Sequence, residues 1–207
     1  MTRIGVLALQ GAFIEHLKIL RSLGAEAVEV RLSQEITGLS GLIIPGGEST
    51  TVGKLAVTYG LIDPIREMAQ DGKAIWGTCA GLILMARTVE GVEQSLLGMM
   101  DLVVRRNAFG RQVESFEADI SVPALGAVSE PEEKNRPLHA VFIRAPVISS
   151  VGGDVQVLSR LSDGSIVAAR DGNLLATAFH PELTGDTRFH RYFLHMVAEC
   201  SEARGDT

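Results

Sequence analysis

Apolar and polar positions follow two rhythms along this chain. Arg3-Ile4-Gly5-Val6-Leu7-Ala8-Leu9 is a nearly continuous apolar run, the pattern of a strand covered on both faces of a parallel sheet. It ends at Gln10-Gly11. The period then becomes helical: Phe13, Leu17, Leu20 and Leu23 share one face, Glu15, Lys18 and Arg21 lie off it, and Gly24 suits the C-terminal cap. Further strands are predicted at Glu26-Ala27-Val28-Glu29-Val30, at Gly41-Leu42-Ile43-Ile44 and in the apolar run that ends at Trp76. A helical region from Thr51 to Gln70, interrupted near Gly60 and Pro64, separates the last two. This alternation predicts an α/β fold, with a mostly parallel central sheet flanked by helices.

The texture changes from about Leu96. Short strand-like segments follow one another: Asp101 to Arg105, Val113 to Ile120, Val141 to Arg144, Val155 to Leu158 and Ile166 to Ala169. Their lengths and turn signals predict partly antiparallel pairing, with hairpin turns at Asp163-Gly164 and Asp171-Gly172. The polar, Pro-bounded stretch within residues 127–137 reads as an exposed excursion without chemistry. A last buried strand, Leu174 to Phe179, precedes a helix from about Thr187 to Glu199, which turns Phe189, Phe193, Val197 and Tyr192 inward. Residues 201–207 are expected to fray.

Composition narrows the picture. The 207 residues are 46% hydrophobic and 21% charged, and no Pro/Ser-rich linker divides them, so one domain spanning 1–207 is expected. A formal net charge of −6 argues against nucleic-acid binding, which needs clustered Lys and Arg. Two cysteines make no disulfide framework, no apolar run approaches the roughly 20 residues of a membrane span, and no basic, apolar leader precedes the first strand. A cytoplasmic location is expected, without a membrane partner.

Candidate chemistry is concentrated in three segments. In Gly77-Thr78-Cys79-Ala80-Gly81 an apolar strand meets an apolar helix through Gly-x-Cys-x-Gly, a nucleophile elbow carrying sulfur. Such a turn strains its central residue and needs small neighbours two positions away, which is where Gly77 and Gly81 stand. On those five residues alone, a plain turn around a buried cysteine is an equal reading. Pro45-Gly46-Gly47-Glu48-Ser49-Thr50-Thr51 follows a buried strand, where exposed backbone N–H groups can hold an anion and Ser or Thr can cap the next helix. His180-Pro181-Glu182 leaves the last strand with residues two apart pointing the same way, so Glu182 can orient the imidazole of His180. The cysteines and histidines lack the spacing of a zinc site, and no metal or organic cofactor is called for.

With these segments in view, the sequence resembles the class I (triad) glutamine amidotransferases, and within them the glutaminase subunits of pyridoxal 5′-phosphate synthase. The elbow and His-Pro-Glu are shared broadly by that class. Gly5 to Gly11, Ile44 to Thr51, Arg105-Arg106-Asn107-Ala108-Phe109-Gly110-Arg111-Gln112 and Phe142-Ile143-Arg144-Ala145-Pro146 point to the narrower group. The resemblance implies a flavodoxin-like three-layer fold, with Cys79 as nucleophile, His180 as general base and acid, and Glu182 as orienter. It also implies L-glutamine contacts from Gly47, Glu48, Ser49, Arg106, Ile143 and Arg144. Backbone N–H groups of Gly47 and Ala80 are the oxyanion-hole candidates.

The implied partner is a (β/α)₈-barrel synthase subunit that receives ammonia, with Gln10 the candidate for coupling docking to activity. A γ-glutamyl peptidase using the same triad and a non-catalytic regulatory subunit are the competing functions.

Overall fold

The computed structural model describes residues 2–106 and 115–205. Its elements in order are β1 (Arg3–Leu7), α1 (Phe13–Ser22), β2 (Glu26–Val30), β3 (Gly41–Ile44), α2 (Ser49–Thr58), α3 (Ile62–Gln70), β4 (Ala74–Thr78) and α4 (Ala80–Met85). The second half adds β5 (Ala86–Val89), β6 (Met100–Arg105), β7 (Ser115–Ile120), β8 (Leu138–Ile143), β9 (Val147–Val151), β10 (Gln156–Arg160), β11 (Ile166–Asp171), β12 (Leu174–Thr177) and α5 (Arg188–Arg204).

The main sheet runs β2-β1-β3-β4-β12-β11-β9-β6-β5, with β10 added on β11. From β2 to β12 all neighbours are parallel; β3, β4 and β12 are buried along their whole length, whereas the edge strand β2 exposes Glu26 and Glu29. Beyond β12 the pairs β12/β11, β11/β9 and β9/β6 are antiparallel, and β5/β6 returns to parallel. β7 and β8 form a separate two-stranded sheet.

Alternation along β4 assigns the helical layers. A Cβ placed on Gly77 would lie 2.5 Å from Gly81 C and 2.6 Å from Met85 Sδ, so α4 covers the Gly77 face. Trp76 points the other way. Its ring meets Phe189 at 6.0 Å and Phe193 at 5.7 Å on α5, and His16 on α1 at 5.7 Å. Helices thus cover both faces, giving three layers.

Several local expectations need correction. Pro64 does not interrupt a helix: it occupies the first turn of α3, where its missing N–H has no intrahelical acceptor to lose. Gly60, at φ 63°, makes the break on its own. β5 and β9 had no counterpart among the expected strands, β8 begins earlier than expected and stops at Ile143, and Val113 and Glu114 lie outside the described residues. The terminal helix continues beyond Cys200 to Arg204, whose Nη1 donates to Gly72 O at 2.7 Å and ties down a turn that was expected to fray.

The charged excursion is mostly exposed, yet it is clamped from beneath. Arg188 is buried, and it donates to the carbonyls of Glu133 (3.3 Å), Arg136 (2.8 Å) and Pro137 (3.0 Å) while pairing with Asp186 (2.6 Å). Arg191 adds bonds to Val128 O at 2.9 Å and Glu133 Oε2 at 2.5 Å. Arg188→Met removes the guanidinium bonds to Arg136 O and Pro137 O and the buried charge partner of Asp186. It should cost about 3–5 kcal/mol, the range for removing one partner of a buried ion pair, read as a lower urea midpoint at unchanged slope.

Candidate active site

Parallel register brings the three candidate segments together. Thr78 pairs with Thr177, and Gly77 with Ile44, so β3, β4 and β12 end side by side at one carboxyl edge. Cys79 leaves β4, Pro45-Gly46-Gly47 leaves β3, and His180 follows three residues after β12. That edge is where open α/β sheets bind ligands.

Cys79 adopts φ 49° and ψ −101°, a strained conformation for a residue with a side chain. Strand and helix must nearly touch for this turn to close. A Cβ on Gly81 would stand 1.9 Å from Ile44 O, confirming the steric reason for glycine on either side. The Cys79 N–H donates to Thr177 O at 2.8 Å, locking the elbow to β12. Because α4 has only six residues, its contribution at the thiol comes from first-turn N–H groups such as that of Ala80 rather than from a long dipole.

His180 is held through both its ring and its backbone. Its Nδ1 lies 2.7 Å from Glu182 Oε1, and its backbone N–H donates to Val141 O at 2.8 Å. Burial pushes the imidazole pKa down, but the hydrogen bonds and charges of Cys79 and Glu182 outweigh burial and raise it to about 10. With Nδ1 engaged by Glu182, Nε2 is the nitrogen left for the thiol. An imidazolium at neutral pH stabilises a neighbouring thiolate.

The loop after β3 is fastened at several points. Gly46 N–H donates to Thr78 Oγ1 at 3.1 Å, and Glu48 N–H to Gln10 Oε1 at 2.9 Å. Sequence pattern assigned the capping of α2 to Ser or Thr; Glu48 does it instead, accepting from Thr50 N–H (3.1 Å), Thr51 N–H (2.7 Å) and Thr51 Oγ1 (2.7 Å). These bonds, the Thr51 hydroxyl foremost, hold the Glu48 carboxyl at a pKa of about 2. Arg106 joins the cap through Glu48 Oε1 at 3.2 Å, with further bonds to Thr50 Oγ1 and Gln94 Oε1. Gln94 was missed. It lies in a stretch between β5 and β6 with no hydrophobic period to mark it.

Gln10, Gly47, Glu48, Ser49, Cys79, Ala80, Arg106, Ile143, Arg144 and His180 all border one cavity of about 300 Å³. Glu182 is buried behind His180 and does not reach the wall. Ile143 O lies 3.9 Å from Cys79 Sγ, and Arg144 follows at φ 43°. Of the three described non-glycine residues with positive φ, Cys79, Asn135 and Arg144, two therefore face this cavity. Strain of order 1–3 kcal/mol per residue persists where surroundings enforce it, and it clusters at working sites. Residues 107–112 of the expected motif lie outside the described residues. Among the described residues no group of three or more His, Cys, Asp or Glu could hold a metal ion, and no helix is long and apolar enough to cross a membrane.

A cysteine elbow facing a His-Glu pair at the carboxyl edge of a mostly parallel sheet is the arrangement of the class I, or triad, glutamine amidotransferases. Within that class the chain belongs to the SNO glutamine amidotransferase family, whose model matches residues 6–199. Pyridoxal 5'-phosphate synthase subunit PdxT of Herpetosiphon aurantiacus is 58% identical, covering 93% of this chain and 99% of that protein. The protein of the same name from Dehalococcoides mccartyi is 55% identical over 95% of this chain and 98% of its own. A solved structure described as a glutamine amidotransferase is 51% identical, with a TM-score of 0.86 over 94% of this chain and 98% of that one.

The packing of Gly46 against the imidazole gives a direct test. A Cβ there would fall 2.4 Å from His180 Cε1 and 3.3 Å from Cys79 Cβ. Gly46→Ala should displace the ring and slow alkylation of Cys79 by iodoacetamide at pH 7 by about 10-fold, because the imidazolium no longer faces the thiolate. Alkylation of Cys200, quantified in the same digests by mass spectrometry, should be unchanged.

Proposed function

We propose that this chain hydrolyses the side-chain amide of L-glutamine to glutamate and ammonia, and delivers the ammonia to a synthase partner that builds pyridoxal 5′-phosphate. The observation that carries the proposal is the strained Cys79 facing the buried His180–Glu182 pair at one cavity wall. Family membership and the names of relatives matched over nearly their whole length support the same activity.

Cys79 thiolate attacks the carboxamide carbon, and the oxygen takes up negative charge toward the N–H groups of Gly47 and Ala80. The imidazolium of His180 gives its proton to the nitrogen as the C–N bond breaks, so ammonia leaves and a γ-glutamyl thioester remains. The now neutral imidazole then takes a proton from water. The hydroxide carbon–oxygen bond forms, the C–S bond breaks, and glutamate departs with Cys79 again a thiolate beside imidazolium. Glu182 keeps the imidazole oriented and stabilises its charge in both half-reactions.

Substrate binding falls to the rest of the wall. Arg106 and Arg144 supply positive charge for the α-carboxylate, Glu48 supplies negative charge for the α-ammonium, and Ser49 with the backbone of Gly47 and Ile143 completes the contacts. Glu48 is suited to this because its cap bonds keep it ionised.

The partner we propose is a (β/α)₈-barrel subunit that docks over this edge and switches the site on. Gly11 faces the Gly46 carbonyl so closely that a Cβ would lie 1.7 Å from the oxygen, so the Gly47 N–H of that peptide points to the opposite side. Gln10 holds the next N–H, that of Glu48. A partner seated on Gln10-Gly11 therefore acts on the peptide that carries the oxyanion donor, and a competent state at ~1% occupancy would gain up to ~100-fold when made dominant.

Ammonia release from L-glutamine tests both levels. Cys79→Ala should abolish it and Cys200→Ala should leave it nearly intact. His180→Asn should be about as damaging as losing the nucleophile, because members of a catalytic unit act non-additively. Adding the synthase subunit should raise the rate of the unmodified chain sharply. Gln10→Ala should lower the stimulated rate or the affinity for that subunit.

A further inference from the structure

Behind the His180–Glu182 pair lies a second pair of buried imidazoles. His16 on α1 and His190 on α5 are both fully buried, and His16 Nδ1 lies 2.9 Å from His190 Nε2. On its other side, His16 Nε2 stands 3.4 Å from Glu182 Oε2, and neither of these two atoms has a hydrogen-bond partner of its own. Trp76 braces both rings edge-on, at 5.7 Å to His16 and 5.0 Å to His190. Its indole N–H is engaged by Thr177 Oγ1 at 3.2 Å and does not compete for them.

Both imidazoles are neutral. Burial foremost, with the repulsion a protonated His16 would meet from positive charge at His190 or His180 adding to it, pushes His16 well below its usual pKa, and burial holds His190 at about 3. A neutral imidazole has one N–H and one lone pair, so the 2.9 Å contact allows two arrangements. If His16 Nδ1–H donated, its bare Nε2 would confront the carboxylate, and the single N–H of His190 would sit on Nδ1, which has no acceptor. If His190 Nε2–H donates, the His16 proton sits on Nε2 and faces Glu182 Oε2. Only a lone pair on His190 Nδ1 is then left over. The second arrangement leaves no buried donor orphaned and no lone pair against the carboxylate.

We propose that His16 is a positioning residue of the triad: its Nε2–H holds the second oxygen of Glu182, and His190 fixes the tautomer that makes this possible. Glu182 then spans two imidazoles, with Oε1 on His180 and Oε2 on His16. At 3.4 Å the His16 contact is a charge–dipole one, longer than a bond. Such contacts in an unliganded site tighten in the substrate complex. The inference rests on the triad assigned above. It also ties α1, which begins two residues after Gly11, to the catalytic carboxylate.

The test compares His16→Leu, which removes the donor, with His16→Gln, which restores a donor to Glu182 and an acceptor to His190. Steady-state ammonia release by the complex with the synthase subunit should show kcat reduced roughly 10- to 100-fold in His16→Leu, the range for partners one layer behind a working group. KM should stay within about two-fold, because His16 touches no substrate, and His16→Gln should recover most of kcat. In the chain alone, the low-field proton resonance of His180 Nδ1–H should move in His16→Leu and return in His16→Gln.

A folded His16→Leu protein with wild-type kcat, or equal loss in both variants, would overturn the proposal, since packing alone predicts the second outcome. An unmoved His180 resonance would overturn it too. Should His16→Leu fail to fold, His16→Met against His16→Gln repeats the comparison at similar volume, and equal kcat values count against the proposal. An unmodified complex that released no ammonia would instead overturn the triad reading, which the resonance measurement does not require.

Discussion

The close approach of α4 to β3 and β4 is the constraint on which the site depends. Gly81 lies against the Ile44 carbonyl, and Gly77 against Gly81 and Met85, with no room for a Cβ at either position. Only this proximity lets the single residue Cys79, at φ 49°, carry the chain from strand to helix. The strained residue is then over-determined. Its N–H is fixed by Thr177 O, its side chain faces the cavity, and the strand that supplies Thr177 also supplies His180. Cys79 and His180 are 101 positions apart in sequence, and neighbouring parallel strands bring them to one cavity.

β4 divides its labour between its two faces. Gly77 opens one face to α4, whereas Trp76 fills the other with aromatic contacts to α5 and α1. The Trp76 face is not merely core, because Glu182 enters it from the end of β12 and meets His16 there. A carboxylate removed from water must be charge-paired or hydrogen-bonded. His180 supplies that on one oxygen, and the aromatic layer positions a second imidazole beside the other.

Legibility in the sequence followed the range of the interactions concerned. The central parallel strands were visible because burial on both faces leaves continuous apolar runs, and the elbow because its sterics demand glycine at fixed spacing. β5 and β9 were not visible. β9 carries Ser149 and Ser150 and pairs with β6 and β11 through backbone bonds that a single segment does not reveal. Glu48 as the cap of α2 was also obscured, since Ser49, Thr50 and Thr51 are commoner capping residues and stand beside it. The His16–His190–Glu182 cluster joins three distant parts of the chain, and a histidine within the Phe13–Ser22 helical face carries no sign that its partner lies on α5. The grouping of Cys79, His180 and Glu182 was legible because its pieces are local signatures, whereas the groups packed behind them are contacts made only by the fold.

The two carboxylates of the site show how local environment assigns different work to one functional group. Glu48 sits near the surface at the start of α2, where two N–H groups and a hydroxyl satisfy its oxygens and keep it ionised near pH 2 and above. It therefore acts as a fixed charge, and its bonds already define its place. Glu182 is buried with far fewer donors, and its strongest contact is the 2.7 Å bond to His180 Nδ1. Its energy is bound up with the proton on that imidazole, which burial opposes and which Cys79 and Glu182 together retain. In the proposed reaction, proton transfer from His180 to a leaving nitrogen weakens that pairing, and reprotonation restores it. A rigid carboxylate at Glu182 limits how far the ring moves between those states, so the orientation reached in the first half-reaction persists into the second.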